Sequence, residues 1–268
     1  MPEQQPLARI FDAGAGDFER MAPSLWNPMG NALVAAADVK LDESVLDACC
    51  GSGATTIPAA QFAGPDGEVH GVDLSGELLA LAQAKADTLS LNSVQLAKAD
   101  VTEWAAEAPY DAVLCAYAVF LLPDMDAAAA GLVSSLRSGG RFALSTWQEG
   151  AAAQFNELLW KACRLERPDL AETAAHPAVE NLSRLDSVEK LTAWLQGLGL
   201  QDVTVAPTPG RVQLSGSLAW SLVLGSTYRT LLPADPAAVE RVRQAFLAEL
   251  GDDFELNTDT LIATGVRP

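Results

Sequence analysis

From residue 40 onward the chain repeats one rhythm: a short apolar run, a turn, then an amphipathic stretch. Residues 44–47 (SVLD) read as a buried strand running into CCGSG, and 54–63 read as a helix. GPDG at 64–67 is a turn, and 68–72 form a second strand ending at Asp73. Residues 76–89 set Leu78, Leu79, Ala82 and Ala86 at helical spacing. Residues 94–97 alternate as a third strand ending near Asp100, and 110–116 (YDAVLCA), with Val, Leu and an aromatic, make a fourth. A helix over 125–137 is expected to stop at Gly139-Gly140, with a fifth strand over 141–146. Strands alternating with helices at this spacing predict an α/β fold. Its sheet is doubly wound and parallel, with helices on both faces and right-handed crossovers.

After Trp147 the rhythm breaks. Helices are expected over 151–164, 187–198, 217–232 and 236–250, with a helical tendency over 168–182 and strands at 203–205 and 260–264. The organisation that follows has four parts: a lid of helices over 1–30, a ligand-binding core over 31–147, a helical cap over 148–186, and a remainder, 187–268, that completes the sheet and carries a second helical insertion. The extra helices belong over the carboxyl edge of the sheet.

Composition narrows the partners. The 268 residues are 49% hydrophobic, enough for a sizeable core, and the net charge is −18. That charge repels nucleic acid and an anionic membrane surface, and no Lys/Arg cluster offsets it. No run of about 18 apolar residues suggests a membrane span. The first residues, MPEQQPLARIF, lack a basic start followed by an apolar stretch, so a cytoplasmic setting is expected. Of the four cysteines, Cys49 and Cys50 are adjacent while Cys115 and Cys163 stand alone, and only His70 and His176 could join them. This is poor spacing for a tetrahedral metal, so no metal is expected. Small buried residues at a tight turn are the simpler reading of the pair.

Ligands of open α/β sheets sit outside the carboxyl ends of the strands, where the strand order reverses. Gly51 and Gly53 allow close backbone approach in the first strand-to-helix turn. Asp73, 20 residues beyond Gly53, stands where a carboxylate can take both hydroxyls of a ribose, and Asp100 repeats the placement after the third strand. The dinucleotide pattern GxGxxG/A started at Gly51 meets Thr56 instead of Gly or Ala. Carboxylates at three successive strand ends, Asp47, Asp73 and Asp100, suit a cationic or amine-rich ligand better than a pyrophosphate.

On VLDACCGSG (45–53), VHGVDLS (69–75), LAKADVTEW (96–104), YDAVLCAYAVFLLPD (110–124) and LRSGGRFALSTW (136–147), the chain resembles the class I S-adenosylmethionine-dependent methyltransferases that modify small molecules. The resemblance implies a Rossmann-like sheet of seven strands, with DTLIATG (259–265) as an antiparallel last strand inserted between the fifth and sixth. It implies S-adenosylmethionine as cofactor and S-adenosylhomocysteine as product. Asp47, Gly51 and Gly53 would line the methionine part, with Cys49 replacing the family's usual Gly or Ala. Asp73 would hold the ribose and Leu74 flank the adenine, Asp100 and Val101 would bind the adenine edge, and Cys115 would face the sulfonium.

Methyl transfer from a sulfonium needs alignment and exclusion of water more than a triad. His176 and Tyr117 are the candidate catalytic residues. A solvated loop histidine before Pro177 and a packed aromatic are their plain alternatives. His70 reads as structural and Asp124 as a helix N-cap. Phe11, Phe18, Trp26 and Met29 could close over the methyl donor, and Trp147, Trp220 and Tyr228 could line an apolar acceptor site. The expected reaction is methyl transfer to O, N or C of an apolar small molecule. A cofactor-binding cyclase and a metabolite-sensing module are the other readings.

Overall fold

The computed structural model describes residues 4–171 and 177–268. Its centre is a seven-stranded sheet in the order β3-β2-β1-β4-β5-β9-β6. The strands are β1 (Ser44–Ala48), β2 (Glu68–Asp73), β3 (Val94–Lys98), β4 (Tyr110–Ala116), β5 (Leu136–Trp147), β6 (Gln201–Thr208) and β9 (Thr260–Val266). β1 pairs in parallel with both β2 and β4, whereas β9 runs antiparallel to β5 and to β6. The family's inserted antiparallel strand is therefore present. Strands β7 (Arg211–Leu214) and β8 (Phe254–Asn257) form a separate antiparallel pair that the periodicity did not reveal.

Helices cover both faces. α2 (Asn27–Ala37) and α3 (Thr56–Ala63) pack Leu33, Val34, Ala37, Ala59, Ala60 and Ala63 against Val45, Leu114 and Ala143. α4 (Gly76–Thr88) buries Leu78, Leu79, Ala82 and Ala86, the residues expected from its spacing. On the other face α5 (Met125–Ser134) and α8 (Val188–Gly197) cover Val113, Phe142 and Leu144. Asp124 accepts the Ala127 N–H at 3.0 Å and so caps α5 as expected. His70 Nδ1 lies 2.7 Å from the Tyr110 hydroxyl, itself 3.0 Å from Trp104 Nε1, in a packed network at the sheet's amino edge.

A second apolar cluster lies outside the sheet. α6 (Ala153–Arg164), α9 (Gly216–Leu224), α10 (Pro236–Leu250) and the small sheet bury Phe155, Phe246, Leu222 and Phe254, with the Phe155 and Phe246 rings 5.2 Å apart. α1 (Gln4–Arg20) leads through a π-helical turn at Ala22–Trp26 into α2, so a boundary at residue 30 falls inside α2. α7 (Pro177–Ser183) is tied to the 119–121 turn, where the Asn181 amide donates to the Phe120 carbonyl at 3.1 Å.

Three expectations are corrected. The helix expected over 125–137 ends at Ser134, because Leu136 already pairs with Tyr110 and Gly139 donates to Arg267. Gly139-Gly140 thus bends a long strand instead of stopping a helix. The helix expected over 217–232 breaks at Gly225, where the Phe18 backbone sits against it, and resumes as a 3-10 turn over Thr227–Leu231. The strand expected at 203–205 is eight residues long, lengthened by pairing with β9.

Candidate active site

β1 lies between β2 and β4, and the strand order reverses at its border with β4. The chain leaves β1 through Cys49, whose φ of 59° is left-handed, and then through Gly51 at 54° and Gly53 at 85°. Three backbone ties hold this loop: Cys50 N–H to the Val72 carbonyl at 3.1 Å, Gly51 N–H to Asp73 Oδ2 at 2.8 Å, and Gly53 N–H to the Cys50 carbonyl at 3.0 Å. Lys85 reaches from α4 to the Ser52 carbonyl at 2.9 Å and to Glu19 of α1 at 2.8 Å. α1 closes over the loop, with Asp12 accepting the Ser75 hydroxyl at 2.6 Å.

A cavity of about 480 Å³ opens at this edge. Its wall includes Phe11, Phe18 and Trp26 from the N-terminal segment, and Cys49, Gly51, Asp73 and Leu74 from the strand ends. Tyr117, Trp147, Asn156 and Tyr228 complete it from the sheet's far side and the cap. Phe18 stacks on Trp26 at 4.9 Å, and Tyr117 lies 4.3 Å from Trp147 and 5.9 Å from Trp26. Trp26 is held further by its Nε1–H, which donates to the Phe18 carbonyl at 3.1 Å.

Tyr117 is conformationally unusual. Its φ of 51° is costly for a bulky side chain, so its surroundings must hold it there. Its N–H donates to the Ser145 carbonyl at 3.0 Å and its hydroxyl lies 2.6 Å from Thr260 Oγ1. Burial raises the phenol above its ordinary value, so it stays protonated near neutrality and is not a base there.

Several expected site residues lie off the cavity wall. Asp47 is fully buried behind the loop, where Oδ2 accepts the Thr56 hydroxyl at 2.6 Å and Oδ1 has no partner. Burial pushes its carboxyl up to about 7. Gly53 faces α4, where an added Cβ would stand 3.1 Å from Ala82 Cβ, so it permits helix packing instead of ligand approach. Asp100 caps its own turn, accepting the Thr102 N–H at 2.9 Å, and Val101 is buried in the core. Cys115 is buried within β4, and Trp220 packs 6.4 Å from Phe246 in the cap. His176 lies outside the described residues.

The cysteines behave as filler. A hydrogen bond to Cys115 and then burial raise the Cys49 thiol, and burial raises Cys50. Cys50 sits beneath the loop, its sulfur 3.1 Å from where a Cβ on Gly71 would stand. Neither thiol is a thiolate near neutrality, the form that nucleophilic or metal-binding chemistry requires.

The donor set suits a cationic, hydroxyl-bearing ligand. Among the described residues the wall has no Lys, Arg or His but contains Asp73, Glu149 and Asp186. The Asp73 carboxylate retains acceptor capacity beyond its two backbone bonds, to Gly51 and to Ser75 N–H at 2.8 Å. A Cβ on Gly51 would lie 3.5 Å from the Phe18 ring, so α1 packs directly against the loop. The sulfonium, amine and ribose hydroxyls of S-adenosylmethionine fit this set, and its carboxylate would be left to backbone N–H groups of the glycine loop.

Strand order, inserted antiparallel strand and glycine loop together define the class I, Rossmann-like methyltransferase fold. Residues 45–140 match the family described as methyltransferase domain, and over them the chain belongs to the class I S-adenosylmethionine-dependent methyltransferases. It is similar to aklanonic acid methyltransferase DauC of Streptomyces sp. (strain C5), 32% identical over 149 residues, covering 53% of this chain and 66% of that protein. It is also similar to nocamycin O-methyltransferase of Saccharothrix syringae, 31% identical over 137 residues, covering 51% and 49%. The matches thus span about half to two thirds of these relatives. Among solved structures, YcgJ of Bacillus subtilis aligns with a TM-score of 0.59 at 17% identity, covering 90% of this chain and 98% of that one. Magnesium protoporphyrin IX methyltransferase of Synechocystis PCC 6803 with bound S-adenosylmethionine aligns at 0.53 and 17%, covering 99% and 97%. These two carry the likeness of fold.

Proposed function

We propose that the protein transfers a methyl group from S-adenosylmethionine to an uncharged small-molecule acceptor held beneath the cap. One observation carries the reading: a single cavity runs from the glycine loop to the cap aromatics, so donor and acceptor share one continuous space. The cofactor, when bound, supplies an already activated methyl group. Asp73 would hold the ribose hydroxyls and Leu74 flank the adenine. Cys49 and Gly51 would border the methionine part. Tyr117, Trp26 and Trp147 would align the acceptor and exclude water, and their π-faces favour a sulfonium. Phe11 and Phe18 would close the space from α1.

The likeness to aklanonic acid methyltransferase and nocamycin O-methyltransferase supports a secondary-metabolite acceptor. The net charge of −18 disfavours a nucleic-acid acceptor. No helix among the described residues is long and apolar enough to cross a membrane. Four free thiols suit the cytoplasm.

The test is calorimetric titration with S-adenosylmethionine, S-adenosylhomocysteine and NAD, followed by an acceptor screen that reads S-adenosylhomocysteine release. Micromolar binding of the first two and stoichiometric release with methylated product are expected. Binding of NAD alone would overturn the reading. Product without S-adenosylhomocysteine would point to the cyclase.

A further inference from the structure

Two cap insertions meet at the cavity through one polar contact. The Tyr228 hydroxyl, from the 3-10 turn after α9, donates to Asn156 Oδ1 on the first turn of α6. Both residues line the cavity, yet neither belongs to the strand ends that make the cofactor half. The phenol hydrogen has no other acceptor among the described residues, so it sets the amide with Oδ1 toward Tyr228. The Nδ2 group, with two N–H donors, has no protein acceptor among them.

The same space has an aromatic wall, with Trp26, Tyr117 and Trp147 ring centroids 4.3 to 6.4 Å apart, the Tyr117 and Trp147 rings tilted by 31° and Trp26 edge-on to both. Its described lining contains no cation. Asp186 is held by Lys190 at 2.7 Å, and Glu149 stands exposed beside it. A carboxylate brought into this space would lose water without gaining a countercharge. A carbonyl oxygen would lose far less and could take an amide N–H.

Resting on the methyltransferase reading, we propose that Asn156, oriented by Tyr228, is a specificity-determining donor, and that the acceptor is an uncharged planar aromatic compound bearing a carbonyl oxygen. Tyr228 is the positioning residue: it acts through the amide it turns. Burial raises its phenol, so the contact persists across the neutral range.

The test uses full-length protein saturated with S-adenosylhomocysteine and three probes of one skeleton: 9-fluorenone, fluorene and 9-fluorenone-2-carboxylate. Binding is read by quenching of tryptophan fluorescence. The ketone should bind at least about 10-fold tighter than the carboxylate. Asn156→Leu should weaken the ketone about 10-fold and leave fluorene unchanged, as expected for loss of one hydrogen bond. Tyr228→Phe should weaken the ketone in the same direction, because it frees the amide to turn. Unchanged S-adenosylhomocysteine affinity shows that both variants are folded. Equal or tighter binding of the carboxylate, equal loss for ketone and fluorene, or binding of none of the three would overturn the proposal. Failure of S-adenosylhomocysteine itself to bind would instead overturn the cofactor assignment.

Discussion

Asp73 Oδ2 accepts the Gly51 N–H at 2.8 Å, so the end of the second strand holds the loop that leaves the first. The other carboxylate oxygen takes the Ser75 N–H at 2.8 Å and starts α4. One side chain therefore shapes the loop, begins a helix and faces the cavity. Burial raises its carboxyl, and the backbone N–H bonds oppose that rise.

Asp73→Ala removes these bonds together with the ribose acceptor. A hydrogen bond to a charged group contributes about 1.5–3 kcal/mol, so S-adenosylhomocysteine affinity should fall about 10- to 150-fold. Calorimetry on the variant decides this. Affinity equal to wild type would remove Asp73 from the site.

Asp47 should make stability depend on pH. Its folded-state value of about 7 lies above the ordinary carboxyl value of 3.8, so the folded protein holds the proton more tightly than the unfolded chain does. Its contribution favours folding below about 4, declines as pH rises toward 7, and is flat above that. The interval from 3.8 to about 7 corresponds to about 4 kcal/mol. Asp47→Asn, which keeps an acceptor for Thr56, should therefore raise the denaturation midpoint at pH 8 and change it far less at pH 4. A stabilisation that does not vary with pH would show that Asp47 does not titrate in this range.

Gly14 and Gly225 bring α1 and α9 into backbone contact. A Cβ on Gly14 would lie 2.3 Å from the Leu224 carbonyl oxygen, and one on Gly225 would lie 2.3 Å from Phe18 N. Backbone cannot yield as a side-chain tip can, so Gly225→Ala should cost about 1–3 kcal/mol, the range for overpacking. Limited proteolysis should cut the N-terminal segment faster in this variant. Proteolysis and melting unchanged from wild type would show that α1 docks without this contact.

Much of the molecule is legible locally. Apolar spacing places the strands and helices of residues 44–134, because each needs only its own period and a turn to end it. Asp73, Gly51 and Leu74 are recognisable because strand end and glycine loop are contiguous stretches. Two expected site residues stand off the cavity wall. Asp100 and Gly53 occupy positions that look ligand-facing in sequence, yet one caps its own turn and the other packs on α4. A residue's place along the chain does not fix the direction of its side chain.

The cap shows the difference most clearly. Asn156 was not among the expected site residues, since an asparagine on the first turn of a helix looks like an ordinary polar surface position. Only the packing of α6 against the turn after α9 brings Tyr228, 72 residues away, onto its amide. The sequence by itself determined the sheet, the glycine loop and the acidic strand ends, because short-range periodicity and steric allowance dictate them. The tertiary structure alone decided which aromatics face the cavity, that Asp47 is buried with one oxygen unpaired, and that α1 seals the edge. Those outcomes depend on contacts between segments far apart in the chain, which no local pattern encodes.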